Sequence, residues 1–190
     1  MFIEALQFLL QTFLGLFSIA LLLRFFLQWL RAPARNPLSY FLAALTDWIV
    51  LPARRIIPGL WGLDLATLVL AWLTEVVLIL AIYMLIGASL GPSVGASLVL
   101  IGFLAAVQVL KRALLIVMVA VIVQALLSFV SPFSPAMPVL KILVRPFLRV
   151  FQKRVPPVGN VDLSPLFVVV TCWLCLLGIA WLESAVRAGA

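Results

Sequence analysis

The chain has 190 residues, of which 66% are hydrophobic and 10% charged, with a mean hydropathy of +1.32, so it has too little polar surface to cover a soluble domain of its size. Thirteen Lys and Arg against six Asp and Glu give a formal charge of +7, an excess that suits anionic lipid headgroups in so apolar a chain; nucleic acid is not an expected partner. The apolar runs are continuous and rich in Leu, Val and Ala, which excludes a transmembrane β-barrel with its alternating strands.

The first apolar segment runs from Phe2 to Leu30. Its positive charges, Arg24 and Arg31, follow the apolar run, the reverse of a signal peptide, so the segment is expected to stay as a membrane helix. A basic hairpin, 31–62, comes next with Arg31, Arg35, Arg54 and Arg55. Asn36-Pro37 predicts a helix start, Asn36 as N-cap and Pro37 at the first helical position. Leu38, Phe41, Leu42, Leu45 and Ile49 recur at helical spacing, and the stretch before Pro52 is too short to span. The expectation is an amphipathic helix in the headgroup plane, with Trp48 as an interfacial aromatic.

The second segment runs from Asp64 to Ile86, with Asp64 placed to cap its free N–H groups. Glu75 lies eleven residues into it, near mid-bilayer, where a bare carboxylate is costly and must be neutral, paired or wet. Arg24 is a candidate partner across the bundle, and Gln28 and Gln124 complete the intramembrane polar set. An uncharged turn, Gly87 to Gly95, leads to the third segment, Ala96 to Val130, which is interrupted only by Lys111 and Arg112. Counting about 20 residues back from Val130 puts Lys111 and Arg112 at the outer interface, with Ala96 to Leu110 an interfacial or protruding extension.

The second hairpin, 131–161, carries Lys141, Arg145, Arg149 and Lys153 at spacings of four, followed by Arg154. Leu140, Leu143, Phe147 and Phe151 lie opposite that stripe, and Pro146 is expected to kink the helix. The fourth segment runs from Asp162, again a helix cap, to about Leu182. Its Cys172 and Cys175 match C-x-x-C only formally. They sit inside an apolar helix and the chain has no histidine, so they read as small packing residues, and neither a metal nor any other cofactor is expected.

Shifting the chain by 98 places Pro37 on Pro135, Leu42 on Leu140, Leu45 on Leu143, Arg55 on Lys153, Pro58 on Pro156 and Asp64 on Asp162. A shift of 100 places Arg24 and Gln28 on Gln124 and Ser128. The predicted fold is therefore an all-α membrane protein. Its four transmembrane helices come from two tandem helix–amphipathic hairpin–helix repeats, 1–88 and 96–185. The basic hairpins should both be cytoplasmic and both termini periplasmic.

Arg24-Phe-Phe-Leu-Gln-Trp29, Asn36-Pro37, Thr46-Asp47, Pro52-Ala-Arg54-Arg55-Ile-Ile-Pro58 and Gly62-Leu-Asp64 resemble the YggT (YlmG-like) family of membrane proteins. The second copy keeps Pro135, Pro146, Lys153-Arg154, Pro156 and Asp162-Leu-Ser-Pro165, but reads Ser134-Pro135 and Val144-Arg145 where the first has Asn-Pro and Thr-Asp. The resemblance implies a duplicated multi-pass protein of the bacterial inner membrane, with roles in osmotic or envelope-stress tolerance or in membrane organisation and assembly. It brings no catalytic residues, and the sequence shows no phosphate loop, no nucleophile with a base and no clustered acidic pair. The expectation is a non-enzymatic scaffold or stress factor whose hairpins engage anionic lipid, a second copy of the chain or another membrane protein. The alternative is a small oligomeric ion channel or transporter component built around Glu75 and Arg24.

Overall fold

The computed structural model describes residues 1–33, 36–59, 62–87, 94–131, 133–134, 136–153 and 162–188. Arg35, Pro135, Arg154, Pro156 and most of the turn after Gly87 lie outside the described residues. Six helices follow one another: α1 Phe2–Trp29, α2 Pro37–Ile56, α3 Leu65–Ile86, α4 Val94–Val130, α5 Met137–Gln152 and α6 Ser164–Ala188. Four of them, α1, α3, α4 and α6, are long and apolar enough to cross a membrane. The protein is all-α, with no strand among the described residues.

The helix ends follow local chemistry. Asp64 is the N-cap of α3, its Oδ1 accepting from the Thr67 N–H at 3.4 Å while the Thr67 hydroxyl donates to the Asp64 carbonyl at 2.9 Å. At the other end Gly87 turns left-handed at φ 69°, and its N–H closes on the Tyr83 and Met84 carbonyls. The Asp162 carboxylate accepts from the Ser164 N–H at 2.9 Å, so the start of α6 is held in the same way. α2 begins at Pro37 as expected but does not stop before Pro52; it continues to Ile56. Pro52 removes the N–H that would reach the Trp48 carbonyl, and the helix runs on for one more turn beyond it. α5 likewise continues through Pro146 to Gln152.

The chain divides into two compact units, Met1–Trp29 with Pro37–Arg112, and Leu30–Asn36 with Ala113–Ala190. Packing thus divides the chain inside α4, whereas the sequence register divides it between residues 88 and 96. In the first unit α1 and α3 form the main helix pair. Their contact side is rich in small residues, with Ser18, Ala20, Ala66, Thr67 and Ala71 all buried. Lipid tails are as apolar as leucine, so close backbone approach at such residues, rather than hydrophobic burial, holds membrane helices together. α2 adds one narrow stripe, Leu42, Thr46 and Val50, and leaves Tyr40, Phe41 and Trp48 exposed.

The first turns of α4 also belong to this unit, with Ile101, Leu104, Ala105 and Val107 buried. The Trp72 indole N–H of α3 donates to the Gly102 carbonyl at 2.9 Å. This stretch of α4 thus packs on the first unit, and a side without Cβ atoms at Gly102 lets it come close enough to seat Trp72. In the second unit Ile116, Val117, Ala120 and Val121 of α4 are buried, as are Met137, Val139, Leu143, Val144 and Leu148 of α5. Phe151 of α5 stacks on Phe167 of α6 at 6.2 Å.

Candidate functional site

Three arginines of the first unit, Arg24, Arg54 and Arg112, each meet a carboxylate. Glu75 is 1% exposed and forms an ion pair with Arg112: Nε of Arg112 meets one carboxylate oxygen and Nη2 donates to the other at 3.2 Å. A bare buried carboxylate would be very costly, and the Arg112 guanidinium fork offsets part of the lost water, with one hydrogen bond to Oε2 while Oε1 and Nε meet as charges without hydrogen-bond geometry. Room for the fork comes from Gly15 of α1, where a Cβ would sit 2.8 Å from Nη1 of Arg112. Arg24 is not the partner of Glu75. Its Nη1 lies 2.7 Å from the Asp47 carboxylate and donates to the Thr46 hydroxyl at 2.7 Å, which draws it onto α2. Arg112 turns its head onto the buried Glu75 carboxylate.

A third cluster sits where α2 meets the start of α3. Arg54 donates from Nε to Asp64 at 3.2 Å and from Nη2 to both Asp64 and the Gln28 side-chain carbonyl, the latter at 2.8 Å. Burial pushes the Asp64 carboxyl up, but the hydrogen bonds from Arg54 and Thr67 and the Arg54 charge outweigh it, leaving it below its ordinary range. The same position in the second unit is gentler. Gln152, ten residues before Asp162 as Arg54 is before Asp64, donates a neutral amide at 2.9 Å. Asp162 is also held low: burial raises it, and the bonds from Ser164 and Gln152 overcome that.

The other sequence candidates separate by exposure. Asn36 is buried and donates to the Pro33 carbonyl. Arg31, at φ 51° just beyond α1, and Arg55 at the end of α2 are exposed. Gln124 has its Oε1 buried with no hydrogen-bond partner among the described residues. Lys141, Arg145, Arg149 and Lys153 are all exposed on α5. Cys172 is buried, Cys175 is exposed, and both are free thiols. Sequence reasoning missed Arg112, Asp47 and Gly15. The available signal for the first was that Glu75 and Arg112 are opposite charges in consecutive apolar segments, each needing a partner.

Nothing in this arrangement resembles a reaction centre. Among the described residues no group of three His, Cys, Asp or Glu could hold a metal ion. An apolar groove of about 480 Å³ between α1 and α2 is lined by residues such as Phe13, Phe17, Ala20, Leu42 and Leu45, with no polar side chain to orient a substrate.

Four helices long and apolar enough to cross a membrane, with a buried ion pair between two of them, define a polytopic α-helical membrane protein. A family model described as CCB3/YggT matches residues 3–85 and 103–182, and the chain belongs to that family. It is 38% identical to an uncharacterized protein of Pseudomonas aeruginosa over 84% of this chain and 80% of that one. It is 30% identical to the protein YggT of Escherichia coli over 93% and 90% of the two chains. A protein of Vibrio alginolyticus is 32% identical over 86% of each. No solved structure matches the chain.

Proposed function

We propose that the protein is a non-enzymatic organiser of the bacterial inner membrane, a scaffold or assembly factor whose loss would show under osmotic or envelope stress. Both hairpins would face the cytoplasm and both termini the periplasm. The observation that carries this reading is α5: four exposed cations on one stripe, with the other side of the helix buried on its own unit. Such a surface is built to hold something anionic rather than to transform it. The two stretches matched by the family model, each containing one hairpin, support a duplicated architecture that presents two such elements.

The channel or transporter alternative gains little from Glu75, because that carboxylate is buried and its charge is paired with Arg112. The test is replacement of Lys141, Arg145, Arg149 and Lys153 by Gln in cells whose own copy is deleted. Recovery from osmotic upshift and association of the protein with its membrane neighbours should both fall to the level of the deletion. Full recovery with every association intact would overturn the reading, and a flux of potassium or protons in liposomes that Glu75→Gln abolishes would install the alternative.

A further inference from the structure

The two hairpins treat their cations differently. In the first unit Arg54 is held by Asp64 and Gln28, and Arg24 by Asp47. α5 has no such closure: residues 131–161 contain no acidic side chain, and Lys141, Arg145, Arg149 and Lys153 are exposed. Their spacing of four puts neighbouring side chains about 5–6 Å apart at Cβ along one stripe. The order matters as well as the sign. The two central residues are arginines, whose planar forks take a phosphate through two parallel N–H bonds, and the flanking lysines are point charges.

The stripe cannot turn inward, because Met137, Val139, Leu143, Val144 and Leu148 fix the opposite side of α5. Nor can it leave the membrane. Six residues, 131–136, separate α5 from the end of the membrane-spanning α4, a tether of at most about 25 Å. Phe129, Val130 and Phe133 beside it are 80%, 82% and 97% exposed, apolar surface that suits the acyl boundary. An acidic protein would have to displace phosphates already under the stripe, so lipid is the favoured occupant.

We infer that α5 is a binding site for a lipid with two linked phosphates, of the diphosphatidylglycerol type, with Arg145 and Arg149 each taking one phosphate of the same molecule. This rests on the reading that the second hairpin lies on an anionic leaflet. Once one phosphate is bound, its linked partner is presented at high effective concentration, whereas two single-phosphate lipids must each be ordered separately. The site therefore discriminates at equal surface charge.

The full chain, purified and placed in nanodiscs of phosphatidylethanolamine with either diphosphatidylglycerol or phosphatidylglycerol at matched phosphate charge, is released into mild detergent and its retained lipids are counted by native mass spectrometry. The two-phosphate lipid should be retained at least about tenfold better per charge. Arg145→Gln with Arg149→Gln should abolish the preference; circular dichroism checks that the variant keeps its helix content. Equal retention of the two lipids per charge would overturn the two-phosphate site and leave the anionic-leaflet reading standing. No charge-dependent retention of either lipid would overturn both. A preference that survives in the double variant, or photo-crosslinking from position 145 in cells that captures an acidic protein in place of lipid, would overturn the assignment to α5.

Discussion

Arg54 and Gln152 stand at the same point of their hairpins, ten residues before the aspartate at the start of the next helix. Arg54 makes a charged fork on a carboxylate that is 3% exposed, whereas Gln152 offers one neutral amide to Asp162 in a more open setting. The contrast extends across each unit. Arg24 meets Asp47 in the first, while Gln124, which falls on Arg24 in the sequence register, has an oxygen with no partner among the described residues in the second. The first unit closes Arg24, Arg54 and Arg112 onto carboxylates, whereas α5 of the second turns its cations outward. The two halves share a helix order and differ in where their charges go.

Substitutions can break this contrast, and Arg112→Leu should do so most severely. Glu75 would be left buried without a cation, costing about 3–5 kcal/mol, read as a lower unfolding temperature in detergent. Adding Glu75→Leu should return the protein to within about 1 kcal/mol of its starting stability, because an apolar pair of similar volume avoids the desolvation. A double variant as unstable as the single one would mean that Arg112 acts through something other than this pair.

The two caps sharpen the comparison at the next level. Asp64→Ala should cost about 2 kcal/mol and Asp162→Ala about 0.5–1, since only the first loses a charged partner along with its cap. Both carboxyls sit below their ordinary value of 3.8 in the folded protein. Their contribution is therefore fully present above about pH 4 and is lost as the pH falls through the lowered folded values. Acid unfolding of the Asp64→Ala variant should be correspondingly flatter in that range. Trp72→Phe should cost about 1 kcal/mol, the hydrogen bond to the Gly102 carbonyl, measured in the same unfolding experiment. The smallest effect on folding belongs to α5. Replacing any one of Lys141, Arg145, Arg149 or Lys153 with Gln should change stability by less than about 0.5 kcal/mol. The same change should weaken attachment to an anionic leaflet by about 1 kcal/mol, seen as faster hydrogen exchange along α5 in anionic but not zwitterionic nanodiscs, with salt erasing the difference.

Much of the helix plan was written openly in the chain. Hydropathy marked the spans to within a few residues, and Asp64, Asp162, Pro37 and Gly87 marked helix ends because capping is local chemistry. Partner choice was not legible. α3 and α4 are apolar on nearly every side, so no stripe in the sequence says which way Glu75 or Arg112 points, or at what height the two helices meet. Arg24 looked available to Glu75 because depth was the only coordinate the sequence supplied; Asp47, one turn before Pro52 on a surface helix, claims it through packing that no spacing rule encodes. The α5 stripe was legible throughout, since a period of four with cations on one side needs no knowledge of neighbours.

Glu75 and Arg112 are 37 residues apart in the chain, and this separation is also an interval of time. At a synthesis rate of about 5–20 residues per second, the carboxylate is made about 2–7 seconds before the cation found against it. During that interval α3 holds a carboxyl group that lipid will not accept as an anion, so the nascent helix must wait in water, in the insertion machinery, or with its proton in place. The first half of the protein is thus finished by a residue the ribosome has yet to deliver, and its assembly is paced by translation as well as by packing.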